Sequence, residues 1–123
     1  MKNVLIVDDS TVARMMISRC VSEFLEGCEI TTAESGEAAL EAVAAAQENF
    51  DLAILDFNMP GIDGLELAQQ LHFLQPDARL ILATANNQKS LADRAHSMGV
   101  GFIVKPPTQD KLRDCLGNCE SHP

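Results

Sequence analysis

Five polar residues with complementary chemistry each come at the end of a short apolar run. Asp8 and Asp9 follow VLIV, and Asp56 follows LAIL. Thr84 ends the run LILAT, and Lys105 follows FIV. Carboxylates that crowd together repel one another unless a cation joins them, whereas an ammonium group and a hydroxyl suit an anion. If these residues meet in the fold, they predict a site with a cation on one side and an anion on the other.

The ion expected among three aspartates is Mg²⁺, with Mn²⁺ as an alternative, because hard divalent cations prefer oxygen ligands. A cation, a lysine and a hydroxyl around one aspartate can spread the charge of a phosphoryl group, and the aspartate can be its nucleophile. Asp56 is the predicted nucleophile because it comes between the other acids and the Thr84 and Lys105 side. Each residue alone has a plainer explanation, such as a turn or a helix cap. Their joint occurrence at four strand ends favours the functional interpretation.

The elements that must position these residues are five short apolar runs that alternate with longer amphipathic segments. This alternation predicts five βα units, in which helices cover both faces of a parallel sheet. Unbroken apolar runs fit strands buried on both faces, whereas the alternating run around Ile30 fits an edge strand. The predicted strands span residues 3–7, 29–33, 52–55, 80–83 and 101–104.

If the strand order is 2-1-3-4-5, the fold is a doubly wound, flavodoxin-like α/β sheet. In such sheets, ligands bind at the carboxyl ends of the strands, where the strand order reverses. That reversal lies between the first and third strands, so Asp8, Asp9 and Asp56 should share one pocket.

Capping and terminating residues mark the predicted helices between the strands. Ser10 or Thr11 is expected to cap the first helix, and Ser35 precedes a second over residues 37–47. Leu, Met and Ala stripes in these segments are expected to pack in the core. Thr108 is the expected cap of the fifth helix, and the expected ends of the first, third and fourth are at Gly27, Pro76 and Gly99.

The length and charge of the chain exclude several functional classes. Its 123 residues fit one domain, so residues 1–123 are interpreted as a single domain without an effector. The 18 acidic and 9 basic residues give a formal net charge of -9, which disfavours direct binding to nucleic acid or anionic lipid. No apolar run approaches the roughly 20 residues of a membrane helix. Met1 leads straight into a strand, so we expect a complete, cytoplasmic protein.

The four cysteines, Cys20, Cys28, Cys115 and Cys119, lack paired CxxC spacing. They fall in segments with helix or strand patterns, so free and mostly buried thiols are expected. Metal binding or oxidation at Cys115 and Cys119, which share a helix face at i and i+4, is a minor alternative.

Four segments carry a strong resemblance to a known family: VLIVDDS at residues 4–10, LAILDFNMPGIDGLEL at 52–67, TAN at 84–86 and FIVKPP at 102–107. With them, nearly the whole chain resembles the CheY-like receiver domains of response regulators in two-component signalling. The resemblance implies that Asp56 accepts a phosphoryl group from a phosphohistidine on a sensor kinase or phosphotransfer protein. It also implies a signalling phosphoprotein that assists its own phosphorylation and dephosphorylation, not a conventional turnover enzyme.

The resemblance also implies how the metal and the phosphoryl group are held. Asp9 and Asp56 would bind Mg²⁺ directly, and the backbone carbonyl of Asn58 would be a third protein ligand. Asp8 would act mainly through a metal-bound water. Lys105 would pair with the phosphoryl group or, before modification, with Asp56.

A switch is implied as well. Thr84 would move toward the phosphoryl oxygen, and Phe102 would turn inward with it, although Phe102 could equally be a plain core aromatic. The peptide bond between Lys105 and Pro106 would be cis. Phosphorylation would then change the packing of the fourth helix, fifth strand and fifth helix, and so the face that a downstream protein binds.

Two asparagines are placed to affect the lifetime of the phosphorylated form. Asn58 and Asn86 lie two residues beyond Asp56 and Thr84, where they can orient or obstruct the hydrolytic water. The histidines are expected to lie away from the pocket, so the chain should not itself be a histidine phosphodonor. They are His72, His96 and His122.

Other functions fit the sequence less well. The favoured interpretation is a stand-alone regulator that binds a downstream protein and has a phosphatase as a further partner. The alternative is a receiver domain from a longer protein that also carries an effector domain. A Mg²⁺ phosphatase of the haloacid dehalogenase type is disfavoured because the segment from Asp56 to Asn58 lacks a second acid. A flavodoxin is disfavoured because the chain has no Trp or Tyr to stack on a flavin.

Overall fold

The computed structural model describes residues 2–120, and the side chains of residues 2–116. Within this range, five strands alternate with five helices. In chain order they are β1 (Asn3–Val7), α1 (Thr11–Phe24), β2 (Glu29–Ala33), α2 (Gly36–Ala45), β3 (Leu52–Leu55), α3 (Gly64–Leu74), β4 (Arg79–Thr84), α4 (Lys89–Ser97), β5 (Gly101–Val104) and α5 (Gln109–Glu120). None of the helices in the described part of the chain has the length and apolar character needed to cross a membrane.

The strands form one parallel sheet in the order β2-β1-β3-β4-β5, which confirms the predicted doubly wound α/β fold. β1 and β3 are neighbours, with Val7 opposite Leu55. Asp8 and Asp56 are the next residues along these strands, so they leave the sheet side by side. β2 lies at an edge, and Ala33 is its one buried residue, in agreement with its alternating sequence.

Alternating strand side chains pack into two apolar layers, one on each face of the sheet. On one face, Leu5 and Val7 belong to a layer completed by α2, α3 and α4. On the other face, Val4 and Ile6 belong to a layer completed by α1 and α5. Full burial of one such aliphatic side chain contributes about 1.5–3 kcal/mol. Both layers therefore hold the strand ends, and the residues that follow them, in place.

Four of the five predicted strands match the structure residue for residue, and β4 is longer by one residue at each end. Ser10, and not Thr11, caps α1, because its side chain accepts a hydrogen bond from the backbone N–H of Ala13 (3.2 Å). α2 ends at Ala45 and not at the predicted Gln47, because Ala46 adopts an extended backbone (φ -69°, ψ 138°).

α3 begins with a capping box that sequence reasoning missed. The carboxylate of Asp63 accepts hydrogen bonds from the backbone N–H groups of Leu65 and Glu66, both at 2.9 Å. The side chain of Glu66 accepts a hydrogen bond from the backbone N–H of Asp63 (3.2 Å). An acid three residues before a glutamate is the sequence signal for this cap.

The thiols follow the expected pattern in part. Cys20 and Cys28 are free thiols, and Cys20 is on the buried face of α1. Burial raises the pKa of Cys20, and the negative charge of Glu23 adds to the effect. Cys115 is half-buried and donates a hydrogen bond to the carbonyl of Phe102 (3.6 Å). The side chain of Cys119 lies outside the described residues.

Candidate functional site

The predicted carboxylate cluster forms at the carboxyl ends of β1 and β3. Asp8, Asp9 and Asp56 each place an oxygen so that the three atoms lie within 4.8 Å of one another. Asp8 and Asp56 are buried, with 0% and 6% of their surface exposed, whereas Asp9 is exposed. Oxygen donors at this spacing, open to solvent on the Asp9 side, fit a hard divalent cation.

The buried Asp8 side chain has a partner for each of its oxygens. Oδ1 accepts a hydrogen bond from the backbone N–H of Ser10 (2.9 Å), and Oδ2 lies 2.5 Å from Lys105 Nζ. Arg14 donates a hydrogen bond to the backbone carbonyl of Asp8 (2.6 Å) and so ties the first turn of α1 to the end of β1. A buried charge is tolerated when it is paired in this way.

Lys105 bridges two acids of the cluster. Its Nζ lies 3.3 Å from Asp56 Oδ1 as well as 2.5 Å from Asp8 Oδ2. Burial favours the neutral amine, but the hydrogen bond to Asp8 and the negative charges of Asp56 and Asp8 outweigh burial and raise the pKa of Lys105. The side chain is therefore an ammonium at neutral pH. Three carboxylates and one ammonium leave two negative charges, which a divalent cation would balance.

The surroundings of Asp56 disfavour a negative charge on its carboxyl group. Burial raises the pKa of Asp56, and the charge of Asp8 raises it further, while Lys105 acts in the opposite direction. Its backbone N–H donates to the carbonyl of Val7 (2.9 Å), so the residue is anchored between β1 and β3. A cation at this carboxylate would offset the repulsion from Asp8.

Thr84 is completely buried at the end of β4, beside the cluster in the sheet order. Its hydroxyl accepts a hydrogen bond from the backbone N–H of Asn86 (3.1 Å). The side-chain oxygen of Asn86 accepts one from the backbone N–H of Gln88 (3.0 Å), the residue that caps α4. In the described structure, no hydrogen bond joins the Thr84 hydroxyl to Asp56 or Lys105. Thr84 is thus linked to the start of α4.

The loop after β3 contains a close approach that sequence reasoning missed. Gly64, the first residue of α3, donates from its backbone N–H to the carbonyl of Phe57 (3.1 Å). A Cβ on Gly64 would lie 2.2 Å from the carbonyl oxygen of Asp56. Glycine at this position therefore lets α3 pack against the backbone of the central aspartate. Asn58 is exposed in the same loop.

The remaining predicted residues lie on the β5 side or farther away. The peptide bond between Lys105 and Pro106 is cis, as predicted. Phe102 is half-buried and packs against the apolar layer that contains α3 and α4. His72 and His96 are exposed on α3 and α4, and His122 lies outside the described residues.

Comparison with known proteins agrees with this arrangement. Chemotaxis protein CheY of Listeria monocytogenes is 34% identical over 118 residues, which cover 94% of this chain and 96% of that protein. In the solved structure of the CheX-CheY-BeF3-Mg²⁺ complex from Borrelia burgdorferi, the matching chain is 30% identical with a TM-score of 0.84, covering 97% of this chain and 89% of that chain.

A longer relative is also similar. The positive alginate biosynthesis regulatory protein of Pseudomonas aeruginosa is 34% identical over 116 residues, which cover 93% of this chain. This chain spans 45% of that protein's length. The family profile described as response regulator receiver domain matches residues 4–116. With its strand order and the acids at its strand ends, this chain belongs to the response regulator receiver domains of two-component signalling.

Proposed function

We propose that this chain is a phosphoacceptor in a two-component or phosphorelay system and that Asp56 is the residue phosphorylated. The observation that carries the proposal is the position of the Asp56 carboxylate. One of its oxygens lies within 4.8 Å of oxygens of Asp8 and Asp9, and its Oδ1 lies 3.3 Å from Lys105 Nζ. A divalent cation held by these acids, together with the Lys105 ammonium, would supply the positive charge that phosphoryl transfer to Asp56 needs.

In the proposed reaction, a carboxylate oxygen of Asp56 attacks the phosphorus atom of a phosphohistidine or a small acyl phosphate. A P–O bond forms, the bond between phosphorus and the donor breaks, and the donor leaves with that electron pair. The product is an acyl phosphate on Asp56. Mg²⁺ bound by Asp9, Asp56 and the Asn58 carbonyl, with Asp8 acting through water, would supply positive charge to the phosphoryl oxygens. The Lys105 ammonium, 3.3 Å from Asp56 Oδ1, supplies the second positive charge.

The proposed switch starts at Thr84. Phosphorylation adds about one to two negative charges and new acceptor oxygens at Asp56. The Thr84 hydroxyl can donate to one of these oxygens, which changes its contact with Asn86. Because Asn86 also binds the capping residue of α4, a change at Thr84 reaches that helix. We propose that Phe102 moves with Thr84.

The surface formed by α4, β5 and α5 is the proposed binding face for a downstream protein. A groove of about 560 Å³ lies there, with Phe102 and Lys111 among its lining residues. Since Phe102 is half-buried in this groove, its movement would change the shape that a partner meets. Coupling between the two sites requires this kind of two-state packing.

The exposed apolar part of α1 is the proposed contact for the phosphodonor. Val12, Met15 and Met16 leave 65%, 67% and 49% of their surface exposed. A second groove, which includes Met16, Lys105 and Pro106 in its lining, joins this patch to the acidic site. A sensor kinase or phosphotransfer protein that delivers phosphorus to Asp56 must cover this rim, and apolar side chains favour such contacts.

We propose a stand-alone regulator rather than a turnover enzyme or the receiver of an effector-bearing protein. The relative from Listeria, which this chain covers over 96% of its length, supports this choice, while the Pseudomonas relative supports the longer alternative. Asn58 stands where a phosphatase of the haloacid dehalogenase type needs an acid, and an amide is not a general acid. Asn58 and Asn86 are proposed to set the lifetime of the acyl phosphate.

Incubation with acetyl phosphate and Mg²⁺, followed by intact-mass measurement, tests the phosphorylation site. Wild type should gain the mass of one phosphoryl group, and Asp56→Asn should gain none. Asp51→Asn is the matched control, because Asp51 precedes the other end of β3, and it should be labelled like wild type. An unlabelled wild type, or an equal adduct on Asp56→Asn, would overturn the assignment.

A further inference from the structure

Lys111 binds the backbone on both sides of Lys105. Its ammonium donates hydrogen bonds to the carbonyl of Val104 (2.7 Å) and the carbonyl of Pro106 (2.9 Å). Lys105 itself donates from its backbone N–H to the carbonyl of Thr84 (2.8 Å). The backbone that carries the Lys105 side chain is therefore held by β4 on one side and by α5 on the other.

The Val104 carbonyl needs a partner outside the sheet. It belongs to the same trans peptide as the N–H of Lys105, so the two groups point in opposite directions. Because the N–H of Lys105 points to β4, the carbonyl of Val104 points to the open edge of β5. Lys111 supplies the donor that a further strand would otherwise provide.

Lys111 lies in the first turn of α5, where the helix dipole disfavours a positive charge. Thr108 caps α5 by accepting a hydrogen bond from the backbone N–H of Lys111 (3.1 Å), and Lys111 is the third residue of the helix. The positive end of the helix dipole lies in this first turn and disfavours a lysine. The charge-assisted hydrogen bonds to two carbonyls offset that effect and give the ammonium a definite place.

We propose that Lys111 is a positioning residue for Lys105, and this inference rests on the proposed phosphorylation of Asp56. By binding both flanking carbonyls, Lys111 holds the start of the long Lys105 side chain so that its ammonium reaches Asp8 and Asp56. Without these bonds, residues 104–106 lose their anchor to α5. A displacement of about 1 Å at a transfer site can slow the reaction by about a hundredfold.

The test compares the initial rate of labelling by acetyl phosphate and Mg²⁺ in Lys111→Met and Arg113→Met. Arg113→Met is a matched loss of positive charge on α5, since the exposed Arg113 side chain pairs with Asp110 (2.7 Å) on the same helix. Lys111→Met should be slower than wild type by about tenfold, and Arg113→Met by less than about twofold. Equal rates in the two variants would overturn the role of Lys111.

A double-mutant cycle separates positioning from a general effect on the fold. In a Lys105→Met background, Lys111→Met should slow labelling no further, because no ammonium remains to be positioned. The same fold-loss in both backgrounds would overturn the inference. If Lys111→Met does not fold, Lys111→Gln enters the same cycle with the same two outcomes.

Wild type in the same experiment distinguishes the two proposals. An unlabelled wild type means that the proposed function of Asp56 fails, and the role of Lys111 fails with it. A labelled wild type with an equally fast Lys111→Met means that only the role of Lys111 fails.

Discussion

Gly64→Ala should destabilise the protein, although Gly64 begins a helix, where alanine is normally favoured. The φ angle of Gly64 is not positive, so the backbone itself accepts alanine. The obstacle is space: a Cβ would lie 2.2 Å from the Asp56 carbonyl oxygen and 2.7 Å from Leu82 Cδ1. The Asp56 backbone cannot easily retreat, because its N–H is bonded to the carbonyl of Val7.

The size of the effect follows from two opposing contributions. Close contacts between carbon and carbonyl oxygen are about 3.3–3.6 Å long, so α3 or the end of β3 must move by about 1 Å. Overpacking of this kind costs about 1–3 kcal/mol. Gly64→Ala should be at the upper end of that range, because the atom in the way belongs to the backbone and cannot change rotamer. Replacing glycine by alanine in a helix contributes about 1 kcal/mol in the other direction. The expected net loss is about 2 kcal/mol in the free energy of unfolding.

Urea unfolding followed by far-UV circular dichroism measures this loss, because the chain has no Trp or Tyr for fluorescence. Gly36→Ala is the matched control, since Gly36 is the first residue of α2 and is also preceded by a side-chain cap. Its Cβ would lie 3.1 Å from the nearest atom, Ile62 Cβ, so a shift of a few tenths of an ångström is enough to relieve the contact. The change for Gly36→Ala should stay below about 1 kcal/mol. Equal losses in both variants would refute the reasoning from the Asp56 carbonyl.

Three further predictions concern buried or hydrogen-bonded charges. Lys105→Met leaves the buried Asp8 carboxylate unpaired, so the free energy of unfolding at neutral pH should fall by about 3 kcal/mol. Urea unfolding with and without Mg²⁺ checks this, and an unchanged stability would contradict the ion pair. Burial and Asp8 raise the pKa of Asp56, so its contribution to stability is present at low pH and is lost as the pH rises through the folded pKa. Without Mg²⁺, Asp56→Asn should therefore raise the urea midpoint of unfolding more at neutral pH than near pH 4, which is close to the ordinary pKa of an aspartate (about 3.9). A midpoint below that of wild type at neutral pH would argue against this explanation. Hydrogen bonds from backbone N–H groups, of which that of Asn3 has the largest effect, lower the pKa of Asp51. The contribution of Asp51 to stability is therefore present above the pKa of the unfolded state and is lost as the pH falls through the pKa of the folded state. Asp51→Ala should have a lower midpoint than wild type at neutral pH and the same midpoint in strong acid, whereas a constant gap would contradict the assignment.

The strands could be predicted closely because each apolar run is short, buried and bounded by polar residues. Once five parallel strands are ordered 2-1-3-4-5, the residues after β1 and β3 must be neighbours. The convergence of Asp8, Asp9 and Asp56 was therefore accessible from sequence, and their oxygens lie within 4.8 Å of one another. The roles of Thr84 and Phe102 in a switch stay predictions, as do the lifetime roles of the asparagines.

Contacts between elements far apart in the chain were less accessible. Lys105 was expected to pair with Asp56 before modification, and it does so at 3.3 Å, but Asp8 is nearer at 2.5 Å. Helix propensity gave no reason to single out Gly64. Its importance arises only where α3 meets the end of β3.

By itself, the sequence determined the five strands and their polar end residues, and from these it predicted the chemistry of an acidic, metal-binding phosphoacceptor. Those features depend on local apolar runs and on which residue follows each run. Only the tertiary structure decided that Lys105 bridges two acids, that Gly64 leaves no room for a Cβ, and that Lys111 supports Lys105 from α5. These contacts depend on the distances between packed elements, which the layers on the two faces of the sheet set together.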